Sequence, residues 1–243
     1  LGKYGDFVMQ TENVVGEIQA ALKRIGETGN PLFVFTSDNG CSKAAGIGDL
    51  AKKGHVVSAH LRGSKADLWD GGHRIPFIVK WPGKVKPGSR SDQLICLTDL
   101  FATVSEVLET KAPTGSAEDS VSFLPALSEK PIVSTRNGVI HHSISGHFAY
   151  RQGQWKLLLA RASGGWTSPK ENQAKGAFPA QLYDMKSDVG EKKNLYREKP
   201  EVVAKLLALL EKDVKRGRST KGPASKNDVS KIVLWKSGQP KAK

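Results

Sequence analysis

In the first part of the chain the apolar positions change their period from block to block. Thr11, Val15, Ile18, Leu22 and Ile25 recur at steps of three and four, with Glu12, Glu17, Gln19 and Lys23 between them, which predicts an amphipathic helix. Gly26 and the Gly29-Asn30-Pro31 cluster stop it. Leu32-Phe33-Val34-Phe35-Thr36 follows as a continuous apolar run, the pattern of a strand buried on both faces. A helix that feeds a buried strand through a short loop is the order expected of an α/β sheet. Phe77-Ile78-Val79-Lys80-Trp81 is a second such strand, ended by Pro82-Gly83. Leu100, Phe101, Val104, Val107 and Leu108 form the stripe of a helix over about 98–109, with Thr98 as its expected N-cap.

The pattern changes after about residue 130. Short strands are predicted over 139–144, 148–152, 155–159 and 181–185, with Gly146, Gly153 and Gly164-Gly165 at the breaks. The stretch from Arg151 to Trp155 fits a tight hairpin. A last helix starts at Pro200, buries Val203, Leu206, Leu207 and Leu210, and stops at Gly217. Strands followed by one covering helix predict a small antiparallel α+β subdomain. The expected division is therefore an α/β core over 1–130, a small antiparallel subdomain over 131–217, and a basic flexible tail over 218–243.

Composition narrows the class. With 38% hydrophobic and 25% charged residues among 243, the chain has the material for a sizeable core, which excludes global disorder. No apolar stretch approaches the roughly 18 uninterrupted residues of a membrane span. Cys41 and Cys96 are too few for a disulfide framework, and neither belongs to a CxxC pair. The net charge of +13 is unevenly placed: residues 1–130 hold 15 Lys+Arg and 15 Asp+Glu, whereas 131–243 hold 22 and 9. That asymmetry fits either a solvated lysine-rich surface or one that attracts polyanions. The chain starts at Leu1 in the middle of helical text, so it is expected to be a piece of a longer protein.

Three stretches could carry chemistry. Ser37-Asp38-Asn39-Gly40 follows the first buried strand, and ligands gather at the carboxyl ends of strands in open α/β sheets. Asp38 and Asn39 offer a carboxylate and an amide carbonyl, hard oxygen ligands for calcium or magnesium; a plain Asn-Gly turn fits the same residues. The loop from Leu61 to Pro76 contains Lys65, Asp67, Asp70, Gly71-Gly72, His73 and Arg74. Paired glycines allow a close backbone approach, and cations beside a metal make an anion site. Lys65 as a surface lysine and Arg74 paired with Asp67 or Asp70 are the alternatives. The third stretch, His141-His142-Ser143-Ile144-Ser145-Gly146-His147, invites zinc, yet no acidic residue stands beside it in sequence, and substrate-contacting or ordinary loop histidines fit as well.

Ser37-Asp38-Asn39-Gly40, the Gly-Ser-Lys…Trp-Asp-Gly-Gly-His-Arg-Ile-Pro run, and Trp81-Pro82-Gly83 together resemble the arylsulfatase-type sulfatases of the alkaline phosphatase superfamily. Arg151-Gln152-Gly153-Gln154-Trp155-Lys156-Leu157 and Gln181-Leu182-Tyr183-Asp184, followed by Glu191 and Asn194-Leu195, are similar to that family's C-terminal subdomain. The resemblance implies an α/β alkaline phosphatase-like core, truncated at its N-terminus, and hydrolysis of a sulfate ester of a small molecule or carbohydrate. It places Asp38 and Asn39 as ligands of one Ca2+ ion, Lys65 as the sulfate-binding lysine, and His73 and His142 beside the substrate. It also implies a formylglycine nucleophile made from Cys or Ser in a Cys/Ser-x-Pro/Ala-x-Arg motif, and secretion or periplasmic export. No cysteine or serine here fits that motif, so the chain alone is expected to be inactive. The rival expectations are a phosphatase or phosphonate monoester hydrolase on the same fold, and a non-catalytic polyanion-binding module. No nucleic-acid partner is expected.

Overall fold

The computed structural model describes residues 1–238; the end of the expected tail, 239–243, lies outside the described residues. Helix α1 (Lys3–Arg24) forms where the three-and-four spacing predicts it. None of its residues is buried: Thr11, Val15 and Leu22 are half-covered, and Phe7, Met9 and Ile18 face solvent. Strand β1 (Phe33–Thr36) pairs antiparallel with β2 (Phe77–Lys80), Phe33 opposite Lys80 and Thr36 opposite Phe77. The expectation of a strand buried on both faces is corrected here. With one neighbouring strand, every residue of β1 is half-buried, and Ile78 of β2 is 60% exposed. Between the two strands lie α2 (Ile47–Lys52) and the single turn α3 (Asp70–His73).

Helix α4 (Asp99–Val107) follows, and two details differ from the sequence reading. Thr98 already has helical backbone angles and its side chain caps nothing; the first-turn N–H groups of Asp99, Leu100 and Phe101 go to the carbonyls of Cys96, Leu97 and Thr98, and that of Ala102 goes to the Ser120 hydroxyl at 2.9 Å. The Asp99 carboxylate instead ties in flanking chain, accepting from the N–H groups of Cys96 and Val121 at 2.9 Å each. The apolar stripe also points outward. Phe101, Val104 and Leu108 are exposed, and the buried side chains of α4 are Asp99 and Thr103.

The second sheet is an antiparallel meander of β3 (Val139–His142), β4 (Phe148–Gln152), β5 (Trp155–Leu158) and β6 (Gln181–Asp184), in that order. Gly153, at φ +54°, turns β4 into β5, so that Gln152 faces Trp155. Helix α5 (Pro200–Arg216) starts on proline and ends at Gly217, as the sequence predicts. Alternation along the strands gives the sheet two apolar faces. On one, Phe148, Tyr150, Leu157 and Leu182 pack against Leu206 and Leu210 of α5 and against Trp235. Burying each of those leucines stabilises the fold by roughly 1.5–3 kcal/mol. On the other face, Ala149, Leu158 and Tyr183 pack against Leu68 and Trp69.

The boundary near residue 130 therefore separates two sheets without separating their packing, because the 61–76 loop lies on the second sheet. Arg136 reinforces the join with a bidentate pair to Asp99 at 2.5 and 2.7 Å. Within the stretch expected as a flexible tail from residue 218 onward, several described residues are packed on the rest of the chain. Ser219 donates its N–H to Asp119 at 2.9 Å, Thr220 donates its hydroxyl to the Glu118 carbonyl at 2.7 Å, and Trp235 is buried in the core. The lysine-rich text hid one large apolar residue with a place to go.

Candidate active site

The turn after β1 and the loop before β2 are stitched together by their backbones. Gly40 donates its N–H to the Gly72 carbonyl at 3.0 Å, and Lys65 donates its N–H to the Cys41 carbonyl at 2.9 Å. The contact is so close that a Cβ on Gly40 would lie 1.8 Å from the Gly71 carbonyl oxygen. A Cβ on Gly71 would lie 2.3 Å from the Gly63 oxygen, and one on Gly72 2.6 Å from that of Asp67. The paired glycines thus serve close packing of backbone on backbone.

This stitching brings Asp38, Asn39 and Lys65 to adjoining segments. Asp38 is exposed just beyond the end of β1. The amide oxygen of Asn39 is buried and has no hydrogen-bond partner among the described residues. A carbonyl oxygen left bare costs free energy unless something binds it, and an oxygen-seeking cation is one such partner. Calcium takes six to eight oxygens, and Asp38 and Asn39 supply two; among the described residues no cluster of three or more His, Cys, Asp or Glu exists to supply the rest. The residues fit calcium as part of a coordination shell. The Lys65 ammonium makes no hydrogen bond or ion pair among the described residues, which leaves its three donors for a ligand.

The loop around Lys65 is held by groups beneath it. The Asp67 carboxylate accepts from the N–H groups of Ser64, Trp166 and Thr167 at 2.8–2.9 Å and from the Thr167 hydroxyl. Ala66, beside Lys65, sits at φ +82°, a region that disfavours any side chain. Trp69 donates its indole N–H to Gln181, and the Arg62 guanidinium lies 3.7 Å over the Trp69 ring. Asp70 faces Lys156 of β5, the two atoms 2.6 Å apart, and Lys156 reaches Glu191 at 2.8 Å. Arg74 makes no ion pair with Asp67 or Asp70; Lys156 takes the Asp70 carboxylate, and Ser64, Trp166 and Thr167 take that of Asp67.

The histidines separate. His73, at the end of α3, stacks against His141 with ring centroids 4.2 Å apart, and its Nε2 is buried without a partner among the described residues. Burial, with the Lys156 ammonium adding to it, pulls His73 down to about 4, so it is a neutral base at physiological pH. His141 donates from Nε2 to the Leu68 carbonyl at 3.3 Å, and burial holds it well below its ordinary value as well. His142 lies on the other face of β3, its ring edge-on to Phe148 at 4.3 Å, and takes no part in the His73 cluster. His147 pairs with Ser237 at 3.0 Å, and Ser237 donates to Glu171 at 2.7 Å. The structure therefore joins His73 to His141, and strand alternation turns His142, which the resemblance placed beside the substrate, to the opposite face of β3. Lys156 stands in the Arg151–Leu157 stretch of the resemblance but carries no role in the sequence reading, since a lysine between Trp155 and Leu157 has the pattern of a strand's solvent side.

Comparisons with known proteins agree along nearly the whole chain. A family model described as Sulfatase matches residues 1–110, and one described as N-sulphoglucosamine sulphohydrolase, C-terminal, matches residues 64–219. The chain is 36% identical over 217 residues to an N-acetylgalactosamine-6-O-sulfatase of Bacteroides thetaiotaomicron, spanning 87% of this chain and 42% of that protein. It is 33% identical over 159 residues to the N-acetylgalactosamine-6-sulfatase of Sus scrofa, spanning 63% of this chain and 30% of that one. A solved Bacteroides thetaiotaomicron structure, described as a 6S-sulf protein in glycosaminoglycan metabolism, superposes with a TM-score of 0.73 at 32% identity. That match covers 87% of this chain and 44% of the other. The chain spans less than half the length of each of these relatives.

Proposed function

The chain belongs to the sulfatase family, of alkaline phosphatase-like α/β fold, and from that premise we propose that the complete protein hydrolyses sulfate esters of an amino-sugar-containing carbohydrate, at the 6-O position. The observation that carries this is that stitched loops bring to adjoining segments the buried, bare amide oxygen of Asn39 and a Lys65 ammonium with no partner among the described residues. The substrate class follows the relatives, which are named for 6-sulfated N-acetylgalactosamine.

Asp38 and Asn39 would hold the calcium ion, which when bound supplies positive charge against the sulfate oxygens. Lys65 donates charge-assisted hydrogen bonds to another sulfate oxygen and offsets the charge that builds up as the ester bond breaks. His73, neutral at physiological pH, is proposed to stand beside the substrate as part of the loop that carries Lys65. His142, on the far face of β3, is assigned no such place by its surroundings. The attacking group is proposed to be a formylglycine in the part of the protein outside residues 1–243, since no Cys/Ser-x-Pro/Ala-x-Arg stretch occurs within them. We also place the complete protein outside the cytoplasm, secreted or periplasmic, where calcium is abundant; recovery in the cytoplasmic fraction would overturn that.

The test is sulfate release from 6-sulfated N-acetylgalactosamine by the complete protein, beside a phosphate monoester. Sulfate release should dominate, and Lys65→Ala should lower kcat/KM by about 100-fold or more. Unchanged kinetics in Lys65→Ala, or faster turnover of the phosphate ester, would overturn the reading.

A further inference from the structure

One cluster of deeply buried charges includes none of the candidate ligand groups. Lys156 is fully buried in the middle of β5, with its ammonium 2.6 Å from an Asp70 oxygen and 2.8 Å from a Glu191 oxygen. The second Glu191 oxygen accepts the backbone N–H of Asp70 at 2.6 Å, and Arg62 donates to the Glu191 carbonyl at 2.8 Å. Glu191 reaches this position with its backbone at φ +52°, a strained setting for glutamate that persists only where surrounding contacts fix it. Buried ion pairs are weak sources of stability, because taking the charges out of water offsets much of their attraction. Their value is geometric: a lysine with two carboxylates fixes three chain segments at once.

Those segments are β5, the residues after β6, and the loop that carries the candidate site. Asp70 opens α3, which ends at His73, and lies five positions beyond Lys65. We propose that Lys156 is a positioning residue: through Asp70 and Glu191 it locks the 62–73 loop onto the second sheet and so fixes where the Lys65 ammonium and the His73 ring stand. The proposal rests on the sulfatase reading only for what Lys65 does; the lock itself is a property of the loop.

The test uses the complete protein, its Lys156→Met variant, and the double variant Lys156→Met/Asp70→Asn. Lys156→Met leaves two buried carboxylates facing each other and should lower both stability and kcat. Converting Asp70 to Asn as well removes half of that leftover charge and should restore most of the stability. The loop stays unlocked in the double variant, so kcat on a 6-O-sulfate ester should remain 10- to 100-fold down while KM moves less than about threefold. Backbone amide exchange should speed up over residues 62–73 in both variants, with 148–158 and 200–216 unchanged. Full recovery of kcat together with stability, or exchange unaltered over 62–73, would overturn the lock. An inactive wild type with loop-local exchange in the variants would instead overturn the sulfatase reading and support the lock.

Discussion

Gly40 donates its N–H to the carbonyl of Gly72 across 3.0 Å, and nothing larger than a hydrogen atom fits on Gly40 at that crossing. Gly40→Ala would press a methyl group into the Gly71 carbonyl, and backbone cannot yield as a side chain can. The expected cost is about 1–3 kcal/mol, with loss of the proposed sulfate-ester turnover in the complete protein. Gly16→Ala is the control: it sits inside α1 with open space around it, and should stabilise by about 0.5–1 kcal/mol. Denaturation midpoints of the two variants check both signs.

Removing the Asp38 carboxylate should weaken calcium binding. Titration calorimetry on the complete protein should give an affinity for Asp38→Ala at least about 10-fold below wild type, since the charge count of the ligands tunes calcium affinity. An unchanged affinity would remove Asp38 from the metal site.

The His73–His141 pair should make stability depend on pH on the acid side. The unfolded His73 imidazole titrates near 6.5 and the folded one at about 4, so below 6.5 the unfolded chain binds more protons. The contribution is complete above pH 6.5 and declines as pH falls toward 4, by at most about 1.4 kcal/mol per pH unit. His141 is shifted in the same direction. Urea midpoints between pH 7.5 and 4.5 should show this slope in wild type and a shallower one in His73→Gln; equal slopes would contradict it.

The outward stripes of α1 and α4 predict the solution behaviour of the 243-residue chain. Phe7, Met9, Phe101, Val104 and Leu108 leave apolar surface in water, and such patches bind hydrophobic dye and associate. Sedimentation should show concentration-dependent association, relieved by Phe101→Ser/Leu108→Ser. Because these side chains touch little in the chain, the double change should cost less than about 0.5 kcal/mol per site.

Much of this fold was legible in residue spacing, because α1, α5 and the β4–β5 hairpin are local patterns with local stops at Gly26, Gly217 and Gly153. The Asp38-Asn39 turn and the Lys65 loop could be picked out for the same reason: each gathers its chemistry within a few residues. Burial was harder to read. The stripe of α4 promised an inward face, but a stripe says only which side is apolar, and what covers it is set elsewhere. Thr98 looked like a cap because the hydroxyl that does accept a first-turn N–H of α4, that of Ser120, stands 18 residues from Ala102. Lys156 carried no visible role for a stronger reason. Its partners stand 86 and 35 residues away, and a strand's alternation cannot reveal that both faces of the sheet are covered.

That separation has a temporal meaning. Asp70 and its loop leave the ribosome long before Lys156 and Glu191, so during synthesis the loop has nothing to hold it. Contacts between residues so far apart in sequence close late, after local helices and hairpins have formed. The second sheet must be built before the loop that carries Lys65 has a surface to hold it.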